Sequence, residues 1–387
     1  MRPMQKTLRF VIFILCSLEM TFSPAQENAP AMSTTAASYL NHVLDIMEKN
    51  ALHTRGIDWF TVRRETFRQA EGAQTTVDTY PAIYYALTQL NEHHSFLRLP
   101  DNLSEEDKQR TYVSLRKMLG PYGNQMPKPP ASPFLDRVQI SGHLLQAGNS
   151  TIAYIVIPAC GGKHSNLRNN RAEYQMYANS LHRIAADLEA SHPLGWIVDL
   201  RGNTGGNMYP MLAGIGFVLG EGRLGSFVSL SGVENGWFYR QGMAGAMISS
   251  VESISAKITD APLALPDLPA VAVLIDAGTI SSGEAVAISF AGRPRERSFG
   301  THTFGLSSGN QWFPLADGAS LLLNTTLEAD RLHHIYPDGI EPDVSFPEPT
   351  IIPDEASDPV IHAAQEWLVS FTSQETRSPS IDQRPPH

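Results

Sequence analysis

The stretch VAVLIDAGTISSGEA, residues 271–285, decides the fold of this chain. An apolar run of strand length leads into a turn of small residues and then into the start of a helix. Such a unit holds a hydroxyl group at a helix N-terminus, where backbone amides stabilise negative charge. The candidates are Ser281 and Ser282. Without further context, serines at this position are more often helix caps than nucleophiles.

A second stretch, GWIVDLRGNTGGN at residues 195–207, has the same design. Its apolar run ends in a glycine-rich turn, and Gly205 and Gly206 allow backbone N–H groups to approach a ligand closely. This suits an oxyanion or another anion, although a plain tight turn is the simpler alternative. A phosphate-binding loop is disfavoured because neither Gly-Lys-Ser nor Gly-Lys-Thr follows.

Strand-like and helical patterns alternate around these two stretches. Such runs at residues 151–157, 195–200 and 271–275, with a helix at about 170–190 between the first two, predict an α/β fold. Helical spacing at about 36–90 predicts a small N-terminal helical region. The predicted organisation is a signal peptide at 1–25, a helical region and linker at 26–133, a catalytic domain at 134–350, and a C-terminal helix with a disordered tail at 351–387.

The N-terminal residues have the pattern of an export signal. Basic residues precede an apolar run from Phe10 to about Phe22, and Ser23-Pro24-Ala25 offers small residues for cleavage. The apolar run contains Glu19 and is shorter than the ~20 residues of a membrane span. We therefore expect a periplasmic or secreted protein with no stable membrane anchor after signal cleavage.

The formal net charge of −10 disfavours a nucleic-acid partner, because phosphate-binding surfaces need clustered Lys and Arg. Five histidines, His93, His94, His302, His333 and His334, lack the spacing of a zinc site, so neither a metal nor another cofactor is expected. Cys160 is expected to be a small core residue.

Four segments in one order resemble the tail-specific (C-terminal processing) protease family. They carry Asp-Leu-Arg-x-Asn-x-Gly-Gly, Ser-x-x-Glu, Gly-x-x-Thr-x-Gly and Gly-x-x-Pro-Asp, at residues 199–206, 281–284, 300–305 and 339–343. The resemblance implies a ββα-superhelix core like those of ClpP and crotonase, and serine peptidase activity on peptides or proteins. It also implies that Ser281 is the nucleophile and that the oxyanion binds Ser282 N–H together with Gly205 or Gly206.

The chain departs from the best-known branch of that family. The lysine of the Ser–Lys dyad is replaced by Leu306, and residues 95–135 are too few for the usual PDZ domain. The segment Leu90–Ser95 resembles instead the tricorn-like and retinoid-binding-protein-like branch, which implies that His94 is the general base, with His93 as the alternative. A histidine base is suited to neutral pH.

A carboxylate is expected to orient the imidazole. The candidates are Asp338 and Glu341, with Asp343 and Glu92 behind them. Arg201 is expected to form a structural ion pair. The competing hypothesis is a non-catalytic ligand- or peptide-binding protein on the same fold, because fold alone does not determine function.

Overall fold

The computed structural model describes residues 31–119, 132–161, 170–347 and 355–377. The predicted signal peptide, the proline-rich part of the linker and the predicted disordered tail lie outside these residues. The α-helices are α1 Thr34–Asn50, α2 Trp59–Gln69, α3 Tyr80–Thr88, α4 Glu105–Leu119, α5 Arg171–Glu189, α6 Met208–Leu219, α7 Ser282–Phe290 and α8 Pro359–Arg377. No helix in the described part of the chain is both long enough and apolar enough to span a membrane.

The strands form two sheets. They are β1 Phe96–Arg98, β2 Ser141–Ala147, β3 Ser150–Val156, β4 Trp196–Asp199, β5 Gly222–Ser229, β6 Glu234–Arg240, β7 Met243–Ile248, β8 Val251–Lys257, β9 Val271–Ile275, β10 Glu296–Gly300, β11 Ser308–Pro314, β12 Ser320–Asp330, β13 Ile335–Tyr336 and β14 Val344–Ser345. One sheet has the order β14-β10-β9-β4-β3-β2 and is parallel except for the β2–β3 pair. The other has the order β1-β12-β5-β6-β7-β8, with β11 and β13 also paired to β12, and its pairs are antiparallel. The predicted α/β class is confirmed.

The parallel sheet is covered on both faces, as parallel sheets usually are. Every residue of β4 and β9 is buried, which explains the apolar runs at 196–198 and 271–275. One face packs in a core with α5, α6 and α7, and the other packs against α8 through Ile361, Ala364 and Leu368. The carboxyl ends of β4, β9 and β10 lead into loops that carry three of the four family-like motifs, the usual place for a site in such a sheet.

The N-terminal helices are tied to the antiparallel sheet. The predicted apolar face of α1 is buried in a core that also contains Leu315, Leu321 and Leu323 from the β11–β12 hairpin. Tyr39 and Tyr80 donate hydrogen bonds of 2.9 and 2.7 Å to the Asp317 carboxylate in the turn of that hairpin. The predicted helical region is therefore three helices, α1 to α3, that share a core with β12, and α4 lies in the predicted connecting segment.

Candidate active site

Ser281 occupies a strained turn between β9 and α7. Its backbone φ of 54° and ψ of −119° lie in a region that residues other than glycine rarely adopt. Such a conformation costs about 1–3 kcal/mol, so neighbouring contacts must maintain it. The turn lifts the hydroxyl out at the N-terminus of α7, where the backbone N–H groups and the helix dipole favour negative charge.

The Glu284 carboxylate maintains this turn. Its Oε2 accepts hydrogen bonds from Ser281 N at 2.8 Å and Leu306 N at 2.9 Å. Its Oε1 accepts from Thr303 Oγ1 at 2.6 Å and Gly305 N at 2.9 Å. Burial raises the pKa of Glu284, and these four hydrogen bonds oppose that shift. A single buried carboxyl group thus joins the serine turn to the loop after β10.

His94 lies in the short connection between α3 and β1. The Glu92 carboxylate accepts hydrogen bonds from His94 N at 2.6 Å and Ser95 N at 3.1 Å, which fixes the connection. Ser95 Oγ accepts from Asn324 N at 2.9 Å, so the connection is also attached to β12. These bonds place the imidazole above the serine turn, although His94 and Ser281 are 187 residues apart in sequence.

Both ring nitrogens of His94 meet a serine hydroxyl. Nε2 lies 3.1 Å from Ser281 Oγ, and Nδ1 lies 2.8 Å from Ser308 Oγ on β11. If Nδ1–H donates to Ser308, the lone pair on Nε2 faces the Ser281 hydroxyl. Burial lowers the pKa of His94 to about 4, and the Glu92 charge partly opposes this shift. The imidazole is therefore neutral at pH 7 and able to accept a proton.

The glycine-rich loop after β4 lies beside the serine turn. A Cβ atom on Gly205 would be 3.0 Å from Ser282 N and 3.2 Å from Ser281 Cβ. The Gly205 N–H already donates to Asn203 Oδ1 at 2.9 Å, whereas the next residue, Gly206, is exposed. Because the Gly205 N–H is engaged, Gly206 is the remaining one of the two predicted glycine donors for an oxyanion, together with the Ser282 N–H.

Asn203 connects the glycine-rich loop after β4 to the serine turn. Its backbone oxygen accepts from Ile280 N at 2.9 Å, and its Nδ2 donates to Ile157 O at 2.9 Å. Ser282 Oγ also donates to Gly206 O at 2.8 Å. The candidate nucleophile and the candidate oxyanion donors therefore form one hydrogen-bonded unit.

Comparison with known proteins identifies this arrangement. Residues 151–346, half of the chain, match the profile of Peptidase family S41. The chain belongs to peptidase family S41. The matched segment contains the glycine-rich loop after β4, the serine turn and the loop after β10. It begins after His94, which comes from the N-terminal helical region.

Relatives of this S41 member extend beyond the matched core. A nisin-resistance protein from Lactococcus lactis subsp. lactis is 28% identical over 333 residues, which are 86% of each chain. A lipoprotein from Streptococcus agalactiae has a similar fold, with a TM-score of 0.58 and 21% identity over 89% of this chain and 99% of that one. A photosystem II D1 C-terminal processing protease matches with a TM-score of 0.51 and 14% identity over 86% and 98%. The S41 protease fold implied by the motifs is thus confirmed.

The predicted carboxylates do not orient the imidazole. Glu341 is 78% exposed, and its carboxylate lies 3.8 Å from His302 Nε2. Asp338 is also exposed, in a turn whose backbone packs against Gly305. The prediction is corrected because the Nδ1 position is taken by Ser308, a residue that no sequence motif indicated.

Asp343, the third candidate, accepts hydrogen bonds from the backbone and hydroxyl of Ser298, both at 2.8 Å, and so has a structural contact. Arg201 forms the predicted ion pairs, with Asp199 at 2.8 Å and Asp358 at 2.7 Å. Burial alone would raise the pKa of Asp199, but Arg201 and Arg137 lower it well below its usual range.

The remaining candidates are the other histidines and Cys160. Among the described residues, no group of three or more His, Cys, Asp and Glu side chains could hold a metal ion. His333 pairs with Glu234 at 2.9 Å at the surface. Cys160 is buried, as predicted, and burial raises the pKa of its thiol to about 12.

Proposed function

We propose that this S41 member is a serine peptidase in which Ser281 is the nucleophile and His94 the general base. The observation that carries the proposal is the 3.1 Å separation of His94 Nε2 and Ser281 Oγ. A nucleophile within hydrogen-bond reach of a neutral base, itself bonded to a third group, is the arrangement that activates a serine. Leu306 replaces the lysine of the family's Ser–Lys dyad, and we assign the chain to the branch with a histidine base.

The proposed reaction has two stages. In the first, His94 Nε2 takes the Ser281 proton, and Oγ attacks the carbonyl carbon of the scissile peptide bond. The N–H groups of Ser282 and Gly206 hold the oxyanion, and the imidazolium then gives its proton to the departing amine. In the second, water loses a proton to Nε2 and attacks the acyl-enzyme, which releases the new carboxylic acid and regenerates Ser281. No cofactor enters either stage.

Ser308 and Glu92 divide the role usually held by one carboxylate. The Ser308 hydroxyl, 2.8 Å from Nδ1, holds the orientation of the ring and accepts the Nδ1–H in the tautomer that the reaction requires. A hydroxyl carries no charge, so the stabilisation of the imidazolium falls to Glu92, whose negative charge raises the pKa of His94 against the effect of burial. Glu92 acts through space, because its carboxylate oxygens are bonded to backbone amides.

The test is covalent labelling with a fluorophosphonate probe, which reacts with activated serines. We expect wild type to be labelled, and Ser281→Ala and His94→Ala to lose the label while keeping the wild-type circular dichroism spectrum. Ser282→Ala retains its backbone amide and is expected to be labelled, as is the surface control Ser231→Ala. Absence of labelling in folded wild type would favour the competing function, a non-catalytic binding protein.

Export and substrate are further parts of the proposal. The residue pattern at 1–25 supports secretion, and relatives called a lipoprotein and a nisin-resistance protein are in keeping with action outside the cytoplasm. N-terminal sequencing of the secreted or periplasmic protein should give a start near residue 26, and recovery of the intact N-terminus from the cytoplasm alone would contradict export. Nisin is the first peptide to assay, by mass spectrometry of the products, because a relative carries that name.

A further inference from the structure

A cavity of about 470 Å³ has Asn207, the residue that follows Gly206, in its wall. Its walls come from the first turns of α5, from the end of β8 and from the loop after β4. Arg171 and Tyr174 contribute from α5, Ile254 and Lys257 from β8, and Asn207 from the loop. The cavity is therefore built by three elements whose relative positions the fold fixes.

The cavity is positively charged in an otherwise acidic chain. Arg171 and Lys257 are both exposed, and neither takes part in a salt bridge between described residues. The neighbouring acid on β8, Glu252, is paired with Arg240 at 2.8 Å. The acid in the first turn of α5, Glu173, is close enough to Tyr174 to add to the effect of burial in raising the pKa of that phenol. Two cations against one nearby acid favour an anionic occupant.

The cavity shares one loop with the proposed reaction centre, because Asn207 in its wall belongs to the glycine-rich loop after β4. Asn207 directly follows Gly206, whose backbone oxygen accepts the 2.8 Å hydrogen bond from Ser282 Oγ. An extended peptide advances about 3.3 Å per residue. A peptide whose scissile carbonyl lies at Gly206 and Ser282 would therefore reach the cavity within a few residues.

We propose that this cavity binds a carboxylate of the peptide substrate, a few residues from the scissile bond, with Arg171 and Lys257 as its charged partners. The carboxylate is either the C-terminus of the peptide or an Asp or Glu side chain. Ile254 contributes an apolar wall, against which the aliphatic part of the substrate residue that carries the carboxylate would pack. That the bound carboxylate belongs to a substrate rests on the proposed function, but the binding itself can be measured without catalysis.

The experiment uses full-length Ser281→Ala, which binds peptide without cleaving it. Fluorescent decapeptide pools are prepared in four matched forms: with a free C-terminal acid or an amide, and with or without one Asp at each position in turn. Affinity is measured by fluorescence anisotropy at low and high NaCl. The same pools are tested on the additional double substitution Arg171→Gln/Lys257→Gln, with Arg183→Gln on α5 as the matched control, since Arg183 lies opposite Asp260 at 3.6 Å.

We expect at least fivefold tighter binding of pools that carry the recognised carboxylate, reduced by salt and lost in the double variant but kept in the Arg183→Gln control. A preference for acid over amide identifies the C-terminus as the source, and a preference for Asp at a fixed position identifies a side chain. Equal binding of all four forms, or a preference that survives the double substitution, overturns the inference. Failure of the proposed function appears separately, as absence of fluorophosphonate labelling in wild type.

Discussion

The low pKa of His94 predicts that the activity of Ser281 persists well into the acid range. With a pKa of about 4, about 97% of the imidazole is in its neutral form at pH 5.5. An ordinary histidine with a pKa of about 6.5 would be only about 9% neutral at that pH. The difference arises because burial of the ring disfavours the imidazolium. The rate of Ser281 labelling should therefore be close to its plateau at pH 5.5 and half of it near pH 4.

The assay is the second-order rate constant of fluorophosphonate labelling between pH 3.5 and 8, with circular dichroism at each pH to establish that the protein is folded. His302→Gln is the matched control, since His302 is at the surface opposite Glu341. Its profile should coincide with that of wild type. An inflection near pH 6.5 in folded wild type would refute the reasoning, because it would mean that the base is not a desolvated histidine.

The same shift affects stability, with a sign that follows from linkage. The folded-state pKa of His94 lies below its unfolded value, so the unfolded state binds more protons between about pH 6.5 and 4. The contribution of His94 to the free energy of unfolding is constant above about pH 6.5, and it falls as the pH decreases through this window. The full loss is about 3 kcal/mol for a shift of about 2.5 pKa units. Comparing the pH dependence of unfolding in wild type and His94→Gln isolates this contribution, which disappears in the variant.

Three further predictions concern single side chains. Ser308→Ala leaves the buried Nδ1–H of His94 without a partner, which costs about 1–3 kcal/mol. We therefore expect the labelling rate to fall about 10- to 100-fold in this variant and to stay close to wild type in Ser308→Thr. An unchanged rate in Ser308→Ala would show that Ser308 has no part in the mechanism. Gly206→Ala would bring a Cβ 2.3 Å from Cys160 O at a φ of 105° and should reduce the rate about 100-fold or more, whereas Gly148→Ala, with open space around it, should not. Because the Cys160 thiol is buried with a pKa of about 12, it should react with a disulfide reagent at pH 8 only after unfolding, and rapid reaction in the native protein would contradict its placement.

The sequence predicted those parts of the molecule whose signals are local. Residues 271–285 specify a strand, a turn and a helix within fifteen positions, and the structure has β9, the Ser281 turn and α7 there. The helical spacing near residue 40 was equally informative, because the apolar face of α1 is the buried face. In each case the pattern and the tertiary contact agree, so local inference sufficed.

The antiparallel sheet was not predicted, because its strands carry weak patterns. The pairs β5–β6 and β7–β8 each contain a register irregularity, which interrupts the alternation that marks a half-buried strand. The hairpin turns do offer a signal. Gln241 and Gly242 both have positive φ, as do Ser249 and Ser250, in the manner of a two-residue turn. A glycine after a polar residue between the strand-like runs of β6 and β7 could have indicated the first hairpin.

Ser308 could not be found from the sequence, because its proximity to His94 results from pairings between distant segments. β1 and β11 both pair with β12, at Leu322 in each case, which brings the connection before β1 to the start of β11. The prediction that a carboxylate orients the His94 imidazole was wrong for the same reason. It relied on the chemistry of triads, whereas the turn containing Asp338 packs its backbone against Gly305 and leaves the side chain outside.

The placement of His94 makes the N-terminal helices part of the proposed catalytic unit. The boundary expected near residue 133 separates the base from the nucleophile, yet the helices and the β11–β12 hairpin share one hydrophobic core. The Asp317 carboxylate, which accepts hydrogen bonds from α1 and α3, strengthens that attachment at the hairpin turn. A fragment beginning at residue 134 would keep Ser281, Ser282 and Gly206 but would lack the imidazole and would expose the apolar side of β12. The oxyanion donors alone would then face an unactivated hydroxyl, so docking of the helices, and not only the family core at 151–346, completes the site.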